Sequence, residues 1–125
     1  MPVSLETREN GHVQYYVVTD PWTVTDLVSH YPVDKIYRDS VPFKVHTVVN
    51  IKDSHQLPPG VMDARRGSAG LTPTSGLLIV FGANPIAKLL IETAVRLARY
   101  SKLRFFDTED DAWNFIRQWI AEHPE

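Results

Sequence analysis

The chain has 125 residues, with 13 Lys and Arg against 15 Asp and Glu, a formal net charge of −2 and no cysteine. That length fits one domain over residues 1–125, and without cysteine there are neither disulfides nor thiolate chemistry, so a cytoplasmic location is the simple expectation. The charge balance lacks the basic stripe of a nucleic-acid binder. The longest apolar run, Leu77–Phe81, is far short of the roughly 20 residues of a membrane helix. Neither nucleic acid nor membrane is therefore expected as a partner.

The opening residues, Met1-Pro2-Val3-Ser4-Leu5-Glu6, show no basic region leading into an apolar run, so no signal peptide is expected. Residues 3–19 read as a β-hairpin. Val3, Leu5 and Thr7 alternate with polar neighbours, and so do Val13, Tyr15 and Val17. Asn10-Gly11 between them suits the two positive-φ positions of a type I′ turn.

Asp20-Pro21-Trp22 ends the strand. Thr23 and Asp26 form a capping-box pair ahead of a helical face of Val24, Leu27 and Val28. Pro32 is hostile to continuing that helix, and a short helical piece over roughly 33–38 is expected after it. Residues 43–51 are β-branched and aromatic, alternating at first and then nearly continuous, as in a strand entering the middle of a sheet.

Pro58-Pro59-Gly60 opens a possible helix over about 59–66, and residues 72–76 form a loop by composition. Leu77–Phe81, bounded by Gly76 and Gly82, reads as a buried strand. Asn84 then caps a helix running to about Tyr100, with Pro85 as its first residue. Ile86, Leu89, Leu90, Ala94, Leu97 and Ala98 are expected to form its docking face, opposite Lys88, Glu92, Arg96 and Arg99. Leu103–Phe106 is a last strand. Thr108 caps a last helix that carries Ala112, Trp113, Phe115, Ile116, Trp119 and Ile120 on one side. The sum is an α/β fold: a mixed sheet of four to five strands with helices packed on it, an opening hairpin, then alternating strand and helix.

No catalytic arrangement stands out, and a non-enzymatic role is favoured. The five histidines, 12, 30, 46, 55 and 123, include no pair at i,i+3 or i,i+4, so no metal site and no cofactor are expected. Gly82-Ala83-Asn84-Pro85 occupies a strand-to-helix turn but lacks the lysine and spacing of a phosphate-binding loop. Asp53, Ser54 and His55 follow a central strand, where ligand and modification sites of parallel sheets gather. With Gly82 and Asn84, Asp53 and His55 form the expected partner or ligand surface, and Ser54 is the candidate for phosphorylation. Asp53 as a receiver-type phospho-acceptor is disfavoured, because no acidic pair follows the first strand and no Lys follows the last.

Three of these features resemble the STAS superfamily, the anti-sigma-factor-antagonist-like domains. They are the opening strand pair followed by alternation, the strand Val45–Ile51 leading into Asp53-Ser54, and the ending from Leu103 to Ile116 with its acidic cap, Ala112 and aromatic face. The resemblance implies a bacterial-type regulatory module that binds a protein partner and is switched by phosphorylation at Ser54. Where the family has a Gly and an apolar residue soon after that serine, this chain has His55-Gln56-Leu57-Pro58. A small-ligand sensor, with an anion or apolar molecule at the Gly82–Pro85 turn, is a second reading. A homo-oligomeric scaffold, such as a homodimer using Trp22, Trp113 and Trp119, is a third.

Overall fold

A computed structural model describes residues 2–55, 75–97 and 102–123. In chain order the elements are β1 (Val3–Arg8), β2 (Val13–Thr19), α1 (Val24–Val28), α2 (Tyr31–Ser40), β3 (Val45–Asp53), β4 (Ser75–Phe81), α3 (Pro85–Leu97), β5 (Leu103–Phe106) and α4 (Glu109–Glu122). The strands make one five-stranded mixed sheet in the order β1-β2-β3-β4-β5. β1 is antiparallel to β2, and every later pair is parallel. The α/β class, the opening hairpin and the side-by-side apolar strands are as the sequence indicates. The helix expected over 59–66 lies outside the described residues.

Because side chains alternate along a strand, the sheet has two distinct faces. Val13, Tyr15, Val48, Leu77, Ile79 and Phe81 project to one face and bury Ala112, Trp113 and Ile116 of α4. Val3, Tyr16, Val18, Ile51 and Val80 project to the other. They meet Trp22, Leu27 of α1, Tyr31 of α2, and Ala87 and Ile91 of α3. Connections between parallel neighbours are right-handed. With strands added in one direction, α1, α2 and α3 therefore share a face. α4 follows the last strand and is free of that rule, so it takes the other.

Three local expectations need correction. Residues 9–12 join β1 to β2 as a longer turn than type I′. Pairing stops at Arg8–Val13, and positive φ begins at Glu9 (54°) and continues through Asn10 (57°) and Gly11 (92°). Glu9 is held there by Arg117 of α4 (2.7 Å) and by the His12 N–H on its carbonyl (3.1 Å). The first helix does stop short of Pro32, but the second, expected over about 33–38, is longer at Tyr31–Ser40 and takes Pro32 into its first turn, where its missing N–H has no intrahelical partner to lose. The third correction concerns α3, whose docked line runs through Ala87 and Ile91. Ile86 and Leu89, expected to dock, are 73% and 64% exposed. The small Ala87 lets the helix approach Val80 closely, and the larger neighbours turn outward.

α2 reverses the usual amphipathic rule. Its buried residues are Asp34 and Arg38, each 1% exposed, while Val33 and Ile36 are 64% and 71% exposed. Arg38 meets Asp34 side-on, Nε to Oδ1 at 2.7 Å and Nη2 to Oδ2 at 3.3 Å. It also donates to the Val45 carbonyl (2.9 Å) and Thr47 Oγ1 (2.6 Å). Asp34 accepts from Gln14 Nε2 (3.1 Å) and the Tyr16 hydroxyl (2.6 Å). Thr7 closes the set by donating to Gln14 Oε1 (2.5 Å). Among the described residues no buried side-chain polar atom lacks a partner, which is the condition under which a buried ion pair is tolerated.

Truncating one member of such a pair strands the other. Asp34→Ala is expected to cost about 3–5 kcal/mol, whereas Ile36→Ala should stay within about 0.5 kcal/mol because its side chain is exposed. Urea denaturation of both variants checks the contrast.

Burial, together with the adjacent Asp34 carboxylate, pushes the Tyr16 phenol far above its ordinary value of 10.0; burial raises Tyr15 as well. Both groups keep their protons in the folded chain when the unfolded chain has lost them. Their contribution is fully present below pH 10 and is lost as pH rises above it. Stability should fall as pH rises above 10, with a slope of up to about 1.4 kcal/mol per pH unit from Tyr16 and a lesser contribution from Tyr15. Tyr16→Phe should remove one tyrosine's share of that slope in urea unfolding measured across this range.

Candidate functional site

The carboxyl ends of β2, β3 and β4 bring the sequence-predicted residues together on one rim. The Asp20 N–H donates to the Asp53 carbonyl (3.1 Å), and the His55 N–H donates to Asp20 Oδ2 (2.6 Å). Asn84 Nδ2 donates to the His55 carbonyl (3.0 Å), while Asn84 Oδ1 accepts from the Ala87 N–H (2.8 Å) and so caps α3. Gly82 lies beside them at φ 82°, with its N–H on the Phe106 carbonyl (3.2 Å). A Cβ there would stand 2.7 Å from the Lys52 Cα. Both the positive φ and the close approach of β3 thus call for glycine.

Asp53 and His55 are exposed, and Gly82 and Asn84 half-buried. Ser54 differs from its neighbours: it is 4% exposed, and its Oγ accepts a hydrogen bond from the Trp22 indole at 2.8 Å. Trp22 itself is buried in the layer that carries Val3, Val18 and Ala87. A phosphoryl group on Ser54 therefore has to displace the indole. Asp20 and Trp22 belong to this rim as much as the predicted residues do. The sequence did not place them beside Asp53, Ser54 and His55, because their partners lie more than 30 positions away.

Chemically the rim is a scaffold of backbone and amide hydrogen bonds. Among the described residues no group of three His, Asp or Glu side chains is placed to hold a metal ion. The first-turn amide of Ala87 in α3, which an anion at the Gly82–Pro85 turn would seek, is already taken by Asn84.

A second concavity lies at the opposite end of the sheet, where β3 and β5 begin and α4 ends. It measures about 190 Å³, and Lys44, His46, Lys102, Arg104, Trp119 and His123 line it. The sequence marked His46 and His123 only as histidines and Trp119 only as an aromatic of the last helix, and did not group these residues, since they come from three separate stretches of chain. No family model, no curated protein and no solved structure matches the chain.

Removing the Ser54 hydroxyl leaves the buried Trp22 N–H without its acceptor. Ser54→Ala is expected to lose about 1–3 kcal/mol, whereas Asp53→Ala and His55→Ala, with exposed side chains, should each stay within about 0.5 kcal/mol. Chemical denaturation followed by tryptophan emission separates the two outcomes.

Proposed function

We propose that the chain is a regulatory protein-interaction module of the STAS-like kind. The observation that carries this reading is the outward display of apolar side chains on the helices of one sheet face. Val33 and Ile36 on α2, and Ile86 and Leu89 on α3, are the large apolar side chains most open to solvent among the described residues. Burying each would yield about 1.5–3 kcal/mol, yet α2 buries its charges instead. Exposed apolar surface kept in this way marks a docking site. Pro85 and Ile86 follow Asn84 directly, so the α3 pair adjoins the rim that carries Asp53 and His55.

The partner is a protein with a complementary apolar patch. Ser54 is the point at which a switch acts on this surface. A phosphoryl group there adds roughly −1.5 to −2 charges and displaces Trp22, which packs in the same layer as Ala87 of α3. Rim and docking helix are thereby coupled through one side chain.

Affinity capture from native cell extract, compared between the unaltered chain and two double variants, tests the reading. Val33→Asp with Ile36→Asp, and Ile86→Asp with Leu89→Asp, should each keep the unfolding midpoint close to that of the unaltered chain. At least one should weaken capture of a specific partner by about tenfold or more, as loss of a hot spot does. Retention of every captured protein by both variants would contradict it. Light scattering on the same variants identifies the case in which the partner is a second copy.

A further inference from the structure

We infer that the basic pocket at the amino ends of β3 and β5 is a binding site for a small phosphate monoester. This goes beyond the docking surface, which lies on the other face of the sheet. Lys102 and Arg104 bring two positive charges to one concavity, with Lys44 and the His123 imidazole beside them, and no carboxylate is among the described side chains that line it.

Most of the other described cations are paired. Arg8, Lys35, Arg38, Lys52, Lys88 and Arg117 each have a carboxylate within 4.0 Å. Arg96, Lys102 and Arg104 have none among the described residues, and the last two meet in this one concavity. Arg104 uses one donor on the Leu103 carbonyl (2.9 Å), and the remainder of its fork has no protein partner among the described residues. The end of α4 does not supply the missing charge. A helix carboxyl end carries only about half a negative charge, and at this one the Trp119 carbonyl already accepts from the His123 N–H and lies 3.0 Å from its Nδ1.

The walls are built rather than incidental. His46 is 8% exposed, and its Nδ1 accepts from the Leu77 N–H (2.8 Å), which places its proton on Nε2. Any Cβ at position 76 would overlap the His46 ring, so Gly76 is what allows the imidazole to lie against β4. On the other side the Trp119 indole stacks on His123, with centroids 3.9 Å apart and planes 13° from parallel, and Phe115 backs it at 6.1 Å. One side of the site is cationic and the other aromatic.

Charge and size select the ligand. A phosphate monoester carries about −1.5 to −2 at neutral pH and offers three acceptor oxygens, which suits an Arg fork beside lysines. A carboxylate, with one charge, balances only one of Lys102 and Arg104, whereas a dianion balances both. The volume is below the roughly 300–1,000 Å³ of pockets for drug-sized ligands. It accommodates a phosphate with a small apolar body against the Trp119 wall.

Titration with phenyl phosphate, inorganic phosphate and benzoate, by calorimetry and two-dimensional NMR, tests this. Phenyl phosphate should bind saturably, with shifts at Lys44, Lys102, Arg104 and the Trp119 indole, and more tightly than either comparison anion. Arg104→Gln and Lys102→Gln should each weaken it by about tenfold, with Lys88→Gln, at the far end of the sheet, unchanged. Lys102 is an exposed residue just before β5, so its variant carries the test if Arg104→Gln perturbs folding. No saturable response, or binding indifferent to both pocket variants, would overturn the site. Equal affinity for benzoate would overturn the dianion, and equal affinity for inorganic phosphate would overturn the ester.

Discussion

The handedness of parallel crossovers organises the rest of this molecule. Strands added one after another in a single direction, with right-handed connections, put the connecting helices on one face of the sheet. Here α1, α2 and α3 crowd one side, and among the described residues α4 alone covers the other. One helix, about 10–12 Å across with its side chains, does not span five strands spaced about 4.8 Å apart. Its apolar stripe closes over β2, β3 and β4 and reaches the carboxyl end of β5, where Phe115 lies 5.2 Å from Phe106. The flanks are left to polar residues: Glu6 and Arg8 of β1 on one side, Arg104 of β5 on the other. Arg8 illustrates the accommodation, since its guanidinium lies 4.3 Å from the Tyr15 ring centroid and 5.2 Å from that of Trp113.

The two ends of the sheet differ in chemistry for the same reason. At the carboxyl ends, Asp20, the His55 backbone and Asn84 hydrogen-bond to one another, making a rim with a buried Ser54. At the amino ends, the close of α4 falls beside the start of β5, and the corner between them collects Lys102 and Arg104 next to Trp119. On the crowded face, α2 is fastened by a buried ion pair rather than by an apolar stripe. Its Val33 and Ile36 are consequently left outside.

Local chemistry was legible in the chain. Thr23 with Asp26 does form a reciprocal capping box, and Thr108 does accept from the Asp111 N–H. β4 and α4 were legible because their apolar pattern matches their geometry. The rim was legible through the general rule that parallel sheets gather sites at carboxyl ends. What could not be read was set by distant partners. Asp34 and Arg38 stand at i,i+4, and so do Lys35 and Asp39 in the same helix. The second pair is an exposed surface contact and the first is wholly buried. Nothing within α2 distinguishes them. The difference lies in Gln14, Tyr16 and Thr47, which wait on the sheet beneath one pair only. The burial of Ser54 under Trp22, and the convergence of Lys44, Lys102 and Arg104, are long-range in the same way.

The claim on which the account rests is that α4 is integral to the fold, because among the described residues it alone covers the apolar side chains of one sheet face. Native-state amide hydrogen exchange tests it directly. The account predicts that core amides of α4, around Trp113 and Ile116, open with the same free energy as those of Val48 in β3 and Ile79 in β4, through global unfolding. Exchange of α4 at an opening free energy lower by about 2 kcal/mol or more, with β3 and β4 still protected, would contradict it.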